Sequence, residues 1–264
     1  MKGLNKAKIS VVISVLNAKK VIENCIISVL SQDYQNIELI VIDGGSLDGT
    51  VEIIKNYSDK ISYWISERDT GIYNAWNKAV LKASGEWLCF IGSDDILLPN
   101  SLTNLLHKSN PPQVNFVSSR VMMVDDKGKE FGSIGKPWNF DKLSKGLGVV
   151  HCGALHHITL FKDYGLFDEG YKIAGDFEFL VRVGKNIKSE FLNEITVNMC
   201  NTGVSRKNVK TVIYETSKIL YFNSSFGKLS GIRYFFSAHA RNIFREFLFL
   251  FPFGKKLFSM KNKI

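Results

Sequence analysis

Cysteine is scarce in this 264-residue chain: Cys25, Cys89, Cys152 and Cys200 are the whole set, separated by 64, 63 and 48 residues. Spacings that long contain no Cys-x-x-Cys pair, so a zinc ribbon or a dithiol redox motif is excluded and the four read as buried thiols. Proline is also sparse, at 5, and with 45% hydrophobic and 22% charged residues a disordered or collagen-like chain is excluded as well. No window holds the ~20 apolar residues that a membrane-spanning helix needs. Even Phe247–Phe253 runs for only seven residues. The first residues lack a cationic stretch leading into an apolar core and a small-residue cleavage site, so a reducing, cytoplasmic setting is expected. Acidic residues nearly vanish toward the end, where residues 204–264 carry twelve Lys and Arg against Glu215 and Glu246. Residues 1–203 are close to neutral, so the net charge of +9 belongs to the tail.

What is present is a strand and helix alternation. Ile9–Val15 is β-branched, and Ala18–Ser31 then carries Val21, Ile22, Cys25, Ile26, Val29 and Leu30 at helical spacing. Ile37–Ile42, Ile61–Ile65 and Trp87–Ile91 read as further strands, with helices over Asp48–Tyr57 and Gly71–Ala83 between them. Four near-continuous apolar strands separated by helices predict an α/β fold: a mostly parallel central sheet with helices on both faces. In such sheets ligands bind beyond the carboxyl ends of the strands. Further along, Val114–Val124 reads as a strand, Asp125–Gly128 as a hairpin turn, Ser133–Gly148 as a glycine-containing loop and Gly175–Lys185 as a helix. From Lys207 the pattern is helical and aromatic, which puts a boundary near residue 203.

The strand ends collect carboxylates. Strand two ends in Asp43-Gly44-Gly45-Ser46, strand three in Glu67-Arg68-Asp69 and strand four in Gly92-Ser93-Asp94-Asp95. Gly44 and Gly49 have the GxxxxG spacing, but Thr50 stands where a phosphate-binding lysine belongs, and no GxGxxG occurs, so neither a P-loop nor a dinucleotide fingerprint is present. The glycines still permit close backbone approach to a nucleotide, and Asp48 or Ser46 suits the cap of the next helix. Asp94-Asp95 pairs two hard oxygen donors, which suit Mg²⁺ or Mn²⁺ better than zinc. Asp176 falls at the start of the helix Gly175–Lys185, where the dipole favours an ionised carboxylate fit to act as a base. Taken singly, each motif has a plain alternative: a capped tight turn, a solvated acidic turn, an N-cap aspartate beside a surface Glu178.

Together they carry a resemblance. Val41-Ile42-Asp43-Gly44-Gly45-Ser46 with Asp48-Gly49-Thr50, then Ser66-Glu67-Arg68-Asp69-Thr70-Gly71-Ile72-Tyr73-Asn74, then Ser93-Asp94-Asp95, then Gly175-Asp176 resemble the family 2 glycosyltransferases, in the family's order, over about residues 8–205. Within the family the loop is similar to that of a subset with Asp-Gly-Gly-Ser, where commoner members have two aspartates. The resemblance implies a GT-A fold in residues 1–203, with a nucleotide-binding part at about 8–110 and an acceptor-binding part at about 111–203. It implies inverting transfer of a sugar from a nucleotide sugar, UDP-linked by preference, to a lipid-linked or saccharide acceptor in surface polysaccharide assembly. Asp176 is then the catalytic base. Ser14, Leu16, Asn17, Asp43, Asp69 and Asp94 form the nucleotide-binding set, with Asp95 as principal ligand of a divalent cation, Mn²⁺ or Mg²⁺. His151, Glu178 and Arg206 are assigned contacts to substrate or diphosphate. The alternative is a nucleotide-sugar or membrane-surface binding protein that keeps the fold without turnover. A glycosidase would need no nucleotide loop, and a nucleotidyltransferase signature is missing from Val12–Ala18.

Residues 204–264 are expected to form a C-terminal helical extension. Arg233, Arg241, Arg245, Lys255 and Lys256 are interleaved there with bulky apolar residues, the pattern of a helix lying in the interface of an anionic membrane. That implies a peripheral protein at the cytoplasmic face of the membrane, the alternative being that the extension packs on the catalytic part or on a second copy. No nucleic-acid module accompanies the basic residues, so nucleic acid is not expected as a partner. An oligomer is compatible with the sequence.

Overall fold

The computed structural model describes residues 7–110, 113–145, 148–201 and 203–249, apart from the side chains of 145 and 245–249. Strands β1 (Ile9–Val15), β2 (Ile37–Asp43), β3 (Tyr63–Ser66) and β4 (Trp87–Gly92) alternate with helices α1 (Ile22–Leu30), α2 (Thr50–Asn56) and α3 (Ile72–Lys82), as the sequence pattern predicts. The strands pair in parallel in the order β3-β2-β1-β4. Their side chains alternate between two cores. Val11, Ile13 and Val15 meet Ile22 and Ile26 of α1 and Ile54 of α2, whereas Val12, Ile40, Ile42 and Phe90 meet Tyr73, Trp76 and Ala79 of α3. Burial on both faces is why these strands contain so few polar residues.

Beyond β4 come β5 (Ile96–Leu97), α4 (Ser101–Lys108), β6 (Phe116–Val124), β7 (Glu130–Ile134), β8 (Leu155–His157), α5 (Ile158–Tyr164), α6 (Gly175–Val183) and β9 (Ser189–Cys200). Strand β8 runs antiparallel to both β4 and β6, and β9 lies parallel to β6, giving the order β3-β2-β1-β4-β8-β6-β9-β5 with β7 on β6. The turn Asp125–Gly128 joins β6 to β7, with Gly128 at φ 76°. The stretch Ser133–Gly148, expected as a loop, contains regular structure: its first two residues end β7, and Phe140–Lys145 forms a 3-10 helix whose Leu143 is buried.

Helices α7 (Val204–Lys207), α8 (Val209–Phe222) and α9 (Gly227–Phe249) follow the sheet. Ile219 and Leu220 of α8 share an apolar cluster with Phe177 and Val181 of α6 and with Leu143. Helix α9 lies against α8, and Gly231 permits the approach, since a Cβ there would sit 2.6 Å from Ser217 O and Tyr221 Cβ. Among the described residues no helix is long and apolar enough to cross a membrane. The end of the Phe247–Phe253 run, Lys255, Lys256 and the Arg245 side chain lie outside the described residues.

Candidate active site

The carboxyl ends of the four parallel strands are in register. Val15 pairs with Asp43, Asp43 with Ser66 and Ser14 with Gly92, so the loops singled out in the sequence form one rim. Loop one ends β1. Asn17 has φ 50°, a left-handed conformation that asparagine tolerates, and it ties two loops together. Its N–H donates to Ser46 Oγ at 2.7 Å and its Oδ1 accepts from Leu47 N at 3.0 Å. Leu16 beside it is 57% exposed. Asp48 accepts from Lys19 N at 3.0 Å and from the amide and hydroxyl of Thr50 at 3.0 and 2.6 Å, bracing the start of α2, whose cap position is taken by Gly49 and not by Asp48 or Ser46.

Asp43, expected in the nucleotide-binding set, is 0% exposed. Its carboxylate accepts from the amides of Gly45 and Ser46 at 3.0 and 2.9 Å, from Ser66 Oγ at 2.6 Å and from Ser46 Oγ. Those four bonds shape the loop from within. The carboxylate left open on this side belongs to Asp69, half-buried, with burial raising its pKa and the Gly71 amide opposing that. It fills the space that a side chain at position 44 would occupy: a Cβ on Gly44 would stand 2.5 Å from Asp69 Oδ2. The aspartate missing at 44 is thus replaced in space by one twenty-five residues later.

At the end of β4, Asp95 differs from the expectation that made it the principal metal ligand. It is 6% exposed and already accepts three bonds: Gly92 N at 3.0 Å, Cys200 N at 3.1 Å and the Cys152 thiol at 3.0 Å. Burial raises its pKa to about 6; the Cys152 bond opposes the rise, and the charge of Asp94 adds to it. Asp94 is the more open of the two. Both carboxylates converge over Gly92, where an added Cβ would lie 2.8 Å from Asp95 Oδ2 and 3.0 Å from Asp94 Oδ1. Among the described residues no three His, Cys, Asp or Glu side chains are grouped to hold a metal. The local donor set is therefore one pair of hard oxygens, which suits a magnesium-like cation that keeps other oxygen ligands.

Asp176 stands in the first turn of α6, half-buried. Burial raises its carboxyl pKa to about 6, against bonds from the Phe177 amide (2.8 Å) and the Tyr73 hydroxyl (3.2 Å). Tyr73 joins it to the rim. Its ring meets Trp76 edge to face at 5.4 Å, and Trp76 donates its Nε1–H to Ser14 Oγ at 3.1 Å. His151 stacks on Trp76 at 4.9 Å, is 6% exposed, and makes no protein hydrogen bond through either ring nitrogen. Burial and His156 hold its pKa well below the imidazole range, so it brings no positive charge to a diphosphate. Sequence reasoning missed Tyr73 and Trp76, although two aromatics three apart on a helix directly after the Glu-Arg-Asp loop are a signal for one buried face.

The remaining assigned contacts are Glu178 and Arg206. Glu178 is held by Arg182 in a bidentate i,i+4 pair at 3.0 and 2.8 Å, and Arg182 also donates to Leu166 O, so Glu178 braces α6. Arg206 sits exposed on α7, six residues beyond Cys200.

Comparison with known proteins places the fold and the family. A Glycosyl transferase family 2 profile matches residues 10–164. An uncharacterised glycosyltransferase of Rickettsia typhi is 32% identical over 181 residues, covering 64% of this chain and 56% of that protein. A PGL/p-HBAD biosynthesis glycosyltransferase of Mycobacterium bovis is 28% identical over 184 residues, 67% of this chain and 70% of that one. The chain thus spans little more than half the length of the Rickettsia typhi relative. Of solved structures, S. aureus TarS 1-349 in complex with UDP-GlcNAc is similar with TM-score 0.66 and 18% identity over 88% of this chain and 72% of that chain. The mannosyltransferase PcManGT from Pyrobaculum calidifontis, in complex with GDP-Man and Mn²⁺, gives TM-score 0.65 and 14% identity over 96% and 84%. Likeness at these identities establishes the fold, which is GT-A. The profile runs from β1 to the end of α5 and takes in every loop of the nucleotide-side rim, and the chain belongs to glycosyl transferase family 2.

Proposed function

We propose that the chain is an inverting glycosyltransferase of the Asp-Gly-Gly-Ser subset, moving a sugar from a nucleotide sugar, a UDP-sugar by preference, to a lipid-linked or saccharide acceptor in surface polysaccharide assembly. The observation that carries the reading is the continuous line Asp176, Tyr73, Trp76, Ser14, which connects a partly buried carboxylate to the strand-end rim. Residues of about 8–110 bind the nucleotide, with Asp69 as the open carboxylate for the base and Asn17 and Asp43 holding the loops in shape. Residues of about 111–203 place the acceptor. Asp176 accepts the proton of the acceptor hydroxyl as that oxygen attacks the anomeric carbon from the face opposite the departing nucleoside diphosphate, so a single displacement inverts the centre.

Asp94 and Asp95 together, and not Asp95 alone, would hold a Mn²⁺ or Mg²⁺ ion. When bound, it would offset the charge that develops on the diphosphate. Cys152 stays a thiol, since burial and Asp95 raise its pKa, and so keeps donating to Asp95. Titration calorimetry tests the reading: UDP is expected to bind at least about tenfold more tightly with Mn²⁺ than without divalent metal, about 1.4 kcal/mol. Equal, weak heats in both conditions would count against it. A protein that binds without turning over is the reading left if UDP binds and no nucleotide sugar is consumed.

Helix α9 supports peripheral attachment at the cytoplasmic face. Leu229, Ile232, Phe236 and Ile243 are exposed along one stripe, flanked by exposed Lys228 and Arg233, while Tyr234 and Ala238 face the packed side. We expect co-sedimentation with vesicles containing phosphatidylserine. The triple change Phe236→Ser, Ile243→Ser and Phe244→Ser, the last at an exposed position beside the stripe, is expected to abolish it with thermal stability retained, and unchanged sedimentation would refute the attachment.

A further inference from the structure

Glu215 is one of only two acids among residues 204–264, and it points inward. It is 6% exposed on α8, and no Lys or Arg pairs with it among the described residues. Its two carboxylate oxygens instead accept three consecutive backbone amides: Lys172 N at 2.8 Å, Ile173 N at 3.0 Å and Ala174 N at 2.8 Å. A buried carboxylate is costly unless its lone pairs are satisfied, and for packing alone an apolar side chain at 215 would serve better. The bonds are therefore specific to the loop they grip, and that loop ends two residues before Asp176. From the other side, the Tyr73 hydroxyl reaches Ile173 O at 2.5 Å and Asp176 Oδ1 at 3.2 Å. Between them Gly175 has no room for a side chain, since a Cβ would lie 2.7 Å from the Tyr73 ring. The segment 172–176 is thus gripped by α8, at the start of the C-terminal helices, and by α3, from the nucleotide half.

We propose that Glu215 is a positioning residue for the base, and that α8 is accordingly part of the catalytic unit and not only the start of a membrane-attaching extension. The inference rests on Asp176 acting as the base in glycosyl transfer. The titratable groups that face Asp176 from packed elements are Tyr73 of α3 and Glu215 of α8; the hydroxyl bond lowers the pKa of Asp176 and the like charge of Glu215 raises it.

The test uses full-length Glu215→Gln and Glu215→Asp proteins. Substrate-free amide hydrogen exchange is followed at residues 172–176, and nucleotide release is followed against pH with the fastest-consumed member of a panel of UDP- and GDP-sugars. For Glu215→Gln we expect faster exchange at 172–176, kcat reduced about 10- to 100-fold with donor KM within about twofold, and the acidic limb of the pH profile moved to lower pH, because a like charge has gone. Glu215→Asp keeps the charge but shortens the reach, so the limb stays while kcat falls. A role confined to stability would lower Tm and leave limb and kcat in place. If Glu215→Gln fails to fold, Glu215→Asp carries the test. Wild-type exchange at 172–176 in the folded variants, or wild-type kcat in both, overturns the proposal. A wild-type protein that consumes no member of the panel counts against glycosyl transfer, and exchange at 172–176 still decides whether the clamp exists.

Discussion

Replacing Asp176 by Asn is expected to lower transfer by about 10²- to 10⁴-fold, the range that a positioned general base supplies, while UDP binding stays within about twofold of wild type. The amide is close in size to the carboxylate, and its oxygen can still accept from the Phe177 amide and the Tyr73 hydroxyl, so α6 keeps its start and the rim is untouched. What disappears is the capacity to take a proton from the acceptor hydroxyl. The pH profile carries a second mark. Burial raises the Asp176 pKa to about 6, so in the wild type the base is ionised above that value and activity falls as the pH drops through it. In the Asn variant that limb is absent from whatever activity is left. Stopped assays of transfer from pH 5 to 8, beside calorimetry with UDP, check both expectations. Equal losses of binding and turnover would move Asp176 from the reaction to the donor site.

How much of this was legible in the sequence follows from where the burial lies. Strands β1, β2 and β4 are buried on two faces and read as apolar runs, with β3 a partly buried apolar edge strand, so their carboxyl ends, and the loops that follow, could be placed by pattern alone. The rim was therefore legible, and so was Asp176 at a helix start. The direction each carboxylate takes was not, because hydrogen bonds decide it and periodicity does not. Asp43 turns into its own loop, where two amides and two hydroxyls reach it. Asp95 turns toward Gly92, Cys152 and Cys200, the last two from segments 57 and 105 residues away. Glu178 was open to a better reading, since Arg182 four residues later is the standard helical partner. Glu215 left a trace as well: an acid kept in so basic a tail calls for a reason, but the three amides that supply it precede it by more than forty residues. The 3-10 helix Phe140–Lys145 escaped because the two anchors described in it, Leu143 and the partly buried Phe140, set no period.

The largest combined effect on stability and binding is expected at Trp76. Its side chain is buried among Tyr73 at 5.4 Å, Phe90 at 4.9 Å, Phe167 at 5.2 Å and the stacked His151 at 4.9 Å. Trp76→Ala removes the centre of that cluster, and a cavity of this kind costs about 3–5 kcal/mol, which for a chain of this size lowers Tm by roughly 10 °C. Trp76→Phe separates the two functions of the residue. It keeps a ring between Tyr73 and His151 but leaves Ser14 Oγ without its donor, at a net cost of about 1 kcal/mol. Ser14 precedes the loop that holds Asn17, and Asn17 in turn fixes Ser46 and Leu47. The Phe variant is therefore expected to unfold within about 3 °C of wild type, as a 1 kcal/mol change implies, yet to bind UDP several-fold more weakly. Differential scanning calorimetry and titration of the same samples distinguish these outcomes. If the Ala variant unfolds within about 2 °C of wild type, the aromatic line from Asp176 to Ser14 is not a mechanical connection, and base and donor rim are positioned independently.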